Sequence, residues 1–398
     1  MKKILYINTT FEIGGAAKTA RQLFDLCSSN SEYAPYFAYG RANKNTSKNI
    51  KKFGTIVSQA FHLSIVRLLG LEGFGSKKAT KDLIQWIKKE NFDLIHIHNL
   101  HGYYLNFFSL IKFLGTLKIP IIWTLHDEWA LTGLPGFSTE CEHCLTGSGK
   151  CTNIYAYPKT YNKLFYNFML KKKQAILTNA WQPTLVCPSQ WLANRVDMTP
   201  LRKFRKHIIN TGIDTSLFKP RDKTKLRAKH NLPLDKKIVL FNSANIKNKT
   251  KGIKHILDAA KKINDDKVLF VGTGKGNINK LTNVKFLGYV DETTLAELYS
   301  LSDLYIFASL AENCPAALLE AMASETPIVA FDIPPTREIL GNKAGVLVEP
   351  TNTGIIKGIN KVLNSADKSN NNSRDIVINK YDINIFYKRY LDLYESQA

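Results

Sequence analysis

The chain has 398 residues, 44% apolar and 22% charged, which is more than one ordinary core absorbs and too apolar for a disordered chain. A formal net charge of +22 favours anionic partners: nucleic acid, phosphorylated compounds or an acidic lipid surface. The apolar run after Lys2 and Lys3 is far too short for a signal-peptide core, and the longest apolar stretch is broken by Lys112, Lys118 and Pro120, so neither secretion nor a membrane span is expected.

KKILYIN opens the chain as a short apolar strand, and GGAAKTARQLFDLCSS follows as a turn into an amphipathic helix. DLIHIHN and IPIIWTLHD are the next strands. After them come PTLVCPS, KKIVLFNS, DKVLFVG, VKFLG, DLYIFAS and TPIVAF, each separated by helical pattern. Apolar runs without clean alternation belong to strands covered on both faces, so the fold class is α/β with parallel sheets and helices on either side. A polar, Lys-rich passage between HIINTGIDTSLFKP and DKKIVLFNS restarts the alternation and sets a boundary near Ser216 between two doubly wound domains. The Asn-rich stretch 364–375 reads as a surface loop.

The most informative segment is SDLYIFASLAENCPAALLEAMASETPIVAFD. It predicts a strand over Leu304 to Phe307, a loop carrying Glu312, and a helix that opens beside Pro315. Amides at a helix start suit a diphosphate, while Glu312 and Glu320, eight residues apart, can accept hydroxyl protons of a sugar. Gly14 and Gly15, between the first strand and its helix, let amides approach an anion. Lys251 and Gly252 stand at the entrance of KGIKHILDAAKKI, where a cation can neutralise a departing diphosphate. In TLHDEW, His126 and Asp127 follow a strand and project at the carboxyl end of a sheet. His96, His98 and His101 suggest a metal cluster at first sight, but two alternate along a strand and the third lies beyond it, so His98 is read as cleft lining at best.

Spaced glutamates, followed by EAMASETPIVA and preceded by YSLSDLYIFAS, resemble the nucleotide-binding half of the retaining glycosyltransferases of family four, which have the GT-B fold. The resemblance covers nearly the whole chain and is more specific in its second half. It implies two Rossmann-like domains facing a central cleft: residues 1–215 for the acceptor, with a final helix over about 382–398 crossing back, and residues 216–381 for the nucleotide sugar. By the resemblance, Gly14 and Gly15 close over the donor phosphates, Glu312 holds sugar hydroxyls, and Asn313, Cys314, Pro315 and Ala316 hold the sugar edge and phosphate. Glu320 holds the ribose, His126 lies beside the sugar, and Gly272, Tyr289 and Val290 border the nucleobase. The chain departs from the family where an Arg usually precedes Lys251: the strand end reads Ser243, Ala244, Asn245, leaving Lys247 and Lys249 as alternative substitutes.

Taken together, these features lead to the expectation of a metal-independent, retaining hexosyltransferase with no cofactor. It would move sugar from a UDP- or GDP-sugar donor to a glycan or lipid-linked acceptor in surface polysaccharide synthesis. Neither a Walker A sequence nor an Asp-x-Asp pair is present, and FVGTGKG lacks the dinucleotide spacing. Cys141, Cys144 and Cys151 have a spacing that could hold a structural zinc, but only three thiols are clear. In IYAYPKTYNKLFYNFMLKKK, aromatic rings interleave with lysines as on an interfacial helix, which fits a cytoplasmic enzyme peripheral on an anionic membrane surface. A sugar-nucleotide epimerase of the same fold is the alternative, and a basic nucleic-acid-binding protein is disfavoured because no nucleic-acid motif is present.

Overall fold

Thirteen strands form among the described residues, which in this computed structural model are 1–42, 47–138, 141–147, 157–162, 164–263, 265–278, 281–341, 343–364 and 372–397. The chain divides into two compact units, Met1–Ile209 with Arg389–Ala398, and Asn210–Lys388.

The first unit holds a seven-stranded sheet: β1 (Lys2–Thr10), β2 (Tyr33–Arg41), β3 (Ile50–Lys52), β4 (Leu94–Ile97), β5 (Ile121–Thr124), β6 (Thr184–Cys187) and β7 (Lys206–Ile208). All pairs are parallel and the order is β3-β2-β1-β4-β5-β6-β7, so the winding reverses between β1 and β4. In the second unit the strands are β8 (Lys237–Asn245), β9 (Val268–Lys275), β10 (Val284–Phe286), β11 (Leu304–Phe307), β12 (Ile328–Phe331) and β13 (Val346–Val348). They too are parallel, in the order β10-β9-β8-β11-β12-β13, and the reversal falls between β8 and β11. Both sheets are doubly wound, as the apolar runs require. Open sheets of this kind leave a crevice at the carboxyl ends of the two strands that flank the reversal.

Burial on both faces explains the runs. Along β8, Ile238 and Leu240 enter one core with Tyr305 and Phe307 of β11, while Val239 and Phe241 enter the opposite core with Leu304 and Ile306. Four strands are not marked by the sequence pattern: β2, β3, β7 and β13. β2 is obscured by Pro35, which a central strand does not normally hold. β3 pairs only with Phe37 to Tyr39, so Pro35 lies where β2 has a single neighbour.

The end of the chain is tied into the first unit by polar contacts inside its core. The hydroxyl of Tyr394, on the helix Ile383–Ser396, lies 2.7 Å from His96 Nδ1 and 3.2 Å from the Tyr6 hydroxyl. Thr124 Oγ1 lies 2.8 Å from His96 Nε2 and 2.9 Å from the Tyr390 hydroxyl. Both nitrogens of a fully buried imidazole are thus satisfied by hydroxyls on neighbouring elements. Burial holds His96 and His98 well below the usual imidazole value of 6.5, so both rings are neutral.

Tyr394→Phe, which strands His96 Nδ1, is expected to lower stability by about 1–3 kcal/mol, measured by urea unfolding of the full chain. Unfolding frees these imidazoles to bind protons below pH 6.5, so their contribution is present above that value and is lost as pH falls. The Tm should therefore drop on going from about pH 7.5 to about pH 5.5, and less steeply in His96→Gln. A flat profile over that interval would contradict neutral rings.

Candidate active site

In the second unit the site grows from the reversal between β8 and β11. Beyond β8, a short turn of helix at Lys249–Lys251 is capped by Asn248 and ends at Gly252, whose φ of 64° lies in the left-handed region. A side chain there would bring a Cβ to 1.9 Å from the Ala308 carbonyl oxygen, so only glycine lets this turn close on the end of β11. The Leu310 amide donates to the Thr250 carbonyl at 2.8 Å and fastens the two loops together.

That closure brings Lys251 Nζ to 2.5 Å from Glu312 Oε1, with the lysine side chain one-third exposed and the carboxylate more covered. Lys247 and Lys249 are both exposed. Pro315 then takes the cap position of the helix Ala316–Ala323, and no side chain caps its first turn. The amides of Ala316 and Ala317 therefore lack a side-chain cap, while that of Leu318 donates to the Pro315 carbonyl at 3.2 Å. Asn313 is buried and Cys314 partly so, and the Cys314 carbonyl accepts from Thr211 Oγ1 at 3.3 Å. Burial pushes the Cys314 thiol up, so it is an uncharged wall.

Glu320 faces inward, only 6% exposed. Tyr299 donates to its Oε2 at 3.4 Å, Asn242 Nδ2 donates to the Tyr299 hydroxyl at 2.8 Å, and Tyr305 donates to Asn242 Oδ1 at 2.7 Å. This chain of side chains from β8, β11 and the helix Glu292–Leu301 fixes the carboxylate's approach. Asn242, Tyr299 and Tyr305 are neighbours of Glu320 that sequence reasoning missed, because in the sequence they look like ordinary strand and helix positions. Gly272 lies inside β9, where a Cβ would sit 2.4 Å from the Phe241 ring. Tyr289 is 72% exposed with Lys275 Nζ at 5.3 Å from its ring, and Val290 is half-buried just before the Asp291 cap.

The first unit has a separate group at the carboxyl ends of its own strands β1, β4 and β5. Gly14, with φ 97°, caps the helix Gly15–Ser29, and space around both glycines is open. His98 Nδ1 lies 2.8 Å from His126 Nε2, one ring donating to the other, with the rings nearly coplanar at 25°. Burial pulls His126 down to about 4 although the neighbouring Asp127 opposes the shift. His101 Nε2 lies 2.8 Å from Asp127 Oδ2, and the Trp129 amide donates to Oδ1 at 2.9 Å. Asp127 stays ionised below the usual carboxylate range: burial opposes this, and His101 outweighs it. His98, Asn99, His101, His126, Asp127 and Trp129 line a small pocket that is partly open to solvent. Nε2 of His98 and Nδ1 of His101 are buried with no protein partner.

The three histidines of HIHNLHG thus go to three different neighbours. Among the described residues no group of three His, Cys, Asp or Glu side chains is placed to hold a metal ion. Cys141 is half-buried and Cys144 buried, and Cys151 lies outside the described residues.

Residues 222–377 match the family model described as glycosyl transferases group 1, and residues 60–217 match that of glycosyltransferase family 4. WcaC of Escherichia coli strain K12, a glycosyl transferase named for colanic acid biosynthesis, is 26% identical over 364 residues, with 87% of each chain covered. The fold is similar to that of sucrose-phosphate synthase from Thermosynechococcus elongatus, at a TM-score of 0.74 and 16% identity over 100% of this chain and 99% of that one. Anabaena Alr3699/HepE, solved in complex with UDP and glucose, superposes at a TM-score of 0.69 and 16% identity, with both chains fully covered. On the two family matches and the paired doubly wound sheets, the chain belongs to the group 1, family 4 glycosyltransferases of the GT-B fold.

Proposed function

We propose that the protein is a retaining hexosyltransferase that uses a UDP- or GDP-sugar and transfers the sugar to a hydroxyl of a glycan or lipid-linked oligosaccharide in surface polysaccharide synthesis. The observation that carries this reading is the Lys251–Glu312 pair at the strand reversal, beside an uncapped helix start. It offers a cation and amide dipoles to a diphosphate and a carboxylate to sugar hydroxyls within a few ångströms of one another. Family membership and the UDP and glucose of the HepE structure support a nucleotide-sugar donor, and the name of WcaC supports a polysaccharide product.

In this reading Glu320 accepts from the ribose hydroxyls, held by Tyr299, and the amides of Asn313, Cys314 and Ala316 bind the sugar edge and the phosphate. Gly272, Tyr289 and Val290 border the base. The family resemblance assigns Gly14 and Gly15 of the first unit to the diphosphate, and neutral His126, hydrogen-bonded to His98, to the sugar. The diphosphate leaves with the electron pair of the anomeric C–O bond, and the acceptor oxygen bonds to that carbon on the same face. Its proton passes to the departing phosphate oxygen. Lys251 neutralises the charge that grows there, with Lys247 or Lys249 supplying the second cation. Metal independence rests on the lack of an Asp-x-Asp pair. The enzyme works on the cytoplasmic side of an anionic membrane surface, where a lipid-linked acceptor would lie.

Thermal-shift titration with UDP, GDP and their sugars is expected to raise the Tm of the full chain for one base, and Glu320→Ala should abolish most of that rise. Lys251→Ala should retain part of the nucleotide shift yet slow release of the nucleoside diphosphate by about 10²–10³-fold, because it removes charge stabilisation at the transition state. Unchanged turnover in Lys251→Ala would remove the leaving-group role.

A further inference from the structure

The helix Ile56–Leu69 carries its oddity on the outside. Its sequence, IVSQAFHLSIVRLL, has one fixed charge, and its inner face is already occupied: His62 and Val66 are buried. Val66 and Leu63 join Tyr166 and Leu170 of the helix Tyr166–Asn179 in one apolar cluster. The opposite face nevertheless holds Val57, Phe61 and Leu68 at 77%, 67% and 65% exposure, with Ile56 at 78% beside them. A helix apolar on all sides is ordinarily buried on all sides.

The surface next to it has the same character with added positive charge. The Arg67 carbonyl accepts from the Tyr161 amide at 2.9 Å, and the Arg67 guanidinium lies 5.8 Å from the Tyr161 ring, so the two segments are joined. Tyr161, Leu164, Phe165 and Phe168 are exposed, Lys159 lies 5.2 Å from the Tyr161 ring, and Lys172 lies 5.3 Å from the Phe168 ring. Lys171 and Lys172 point outward, whereas Lys173 is fully buried, donating to the Trp129 carbonyl at 2.6 Å, and burial brings it down to about 7. That inward lysine locks which side of the helix is shown. No Asp or Glu occurs in residues 33–71 or 143–196, so nothing acidic from either stretch offsets the charge.

We propose that this face, formed by the helix Ile56–Leu69 with residues 157–162 and 164–172, docks on an anionic lipid bilayer, its apolar side chains entering the headgroup boundary and Arg67, Lys159, Lys171 and Lys172 meeting lipid phosphates. Large exposed aliphatic and aromatic side chains interleaved with cations match a negatively charged, apolar-cored partner. No described helix is long and apolar enough to cross the bilayer, so the contact is peripheral. The inference deepens the membrane part of the proposed function and is independent of the donor chemistry.

Co-sedimentation of the full chain with phosphatidylcholine vesicles, with and without about 30 mol% phosphatidylglycerol, tests the assignment. Binding is expected on the anionic vesicles, at least about tenfold weaker on the neutral ones, and weakened by salt. The triple variant Val57→Glu, Phe61→Glu, Leu68→Glu and, separately, Lys171→Glu with Lys172→Glu should each lose about tenfold or more in vesicle binding. Both should keep the wild-type Tm and nucleotide shift, so a failure of the donor site is read separately from a failure of the lipid face. The proposal is overturned if the wild type stays in the supernatant, if both variants bind like wild type, or if the triple variant dissolves a wild-type dimer while vesicle binding is absent, which would make a second copy the occupant.

Discussion

The contact between Lys251 and Glu312 depends on a backbone approach that only one residue type permits. Gly252 lets the turn after β8 reach the Ala308 carbonyl at the end of β11, and the Leu310 amide then holds it. The ion pair, the uncapped helix start and the buried Glu320 are all consequences of placing those two strand ends side by side. A reversal of strand order is what makes them neighbours, since it leaves no crossover helix to fill the gap above them.

The first unit uses the same reversal for a different purpose. Its strand ends gather imidazoles rather than a cation and carboxylate, and burial keeps His96, His98 and His126 uncharged. Asp127 remains charged because His101 and the Trp129 amide hold it. Tyr390 and Tyr394 underlie this group from the chain terminus, which makes the last helix part of the support for β4 and β5.

Charge is unevenly used. Much of the +22 is spread over long acid-free stretches of the first unit, and where those stretches fold into helices they show aliphatic and aromatic residues between the cations. Among the described residues of the second unit, charge is held in pairs such as Arg227 with Asp303 and Lys229 with Glu297. Cations among exposed apolar residues and cations paired with acids are thus carried by different parts of one chain.

Local pattern determined the element types: strands buried on two faces need uninterrupted apolar runs, and those are visible in β1, β4 and β8 to β12 without any coordinates. The span of β11, the helix after Pro315 and the spaced Glu312 and Glu320 were also legible, because a strand, a loop and a helix start obey local rules of turn and cap chemistry. Pro35 hid β2, and the short edge strands β3, β7 and β13 carry too few residues for a period to show. Tertiary structure alone decided that Lys251 meets Glu312 while Lys247 and Lys249 stay exposed, and that Tyr299 and Asn242 stand behind Glu320. It also decided that three nearby histidines take three separate partners, and that the helix Ile56–Leu69 turns Phe61 outward. Each of these is a matter of which residues distant in the chain become adjacent, and that is set by strand order and packing, which no local window of sequence contains.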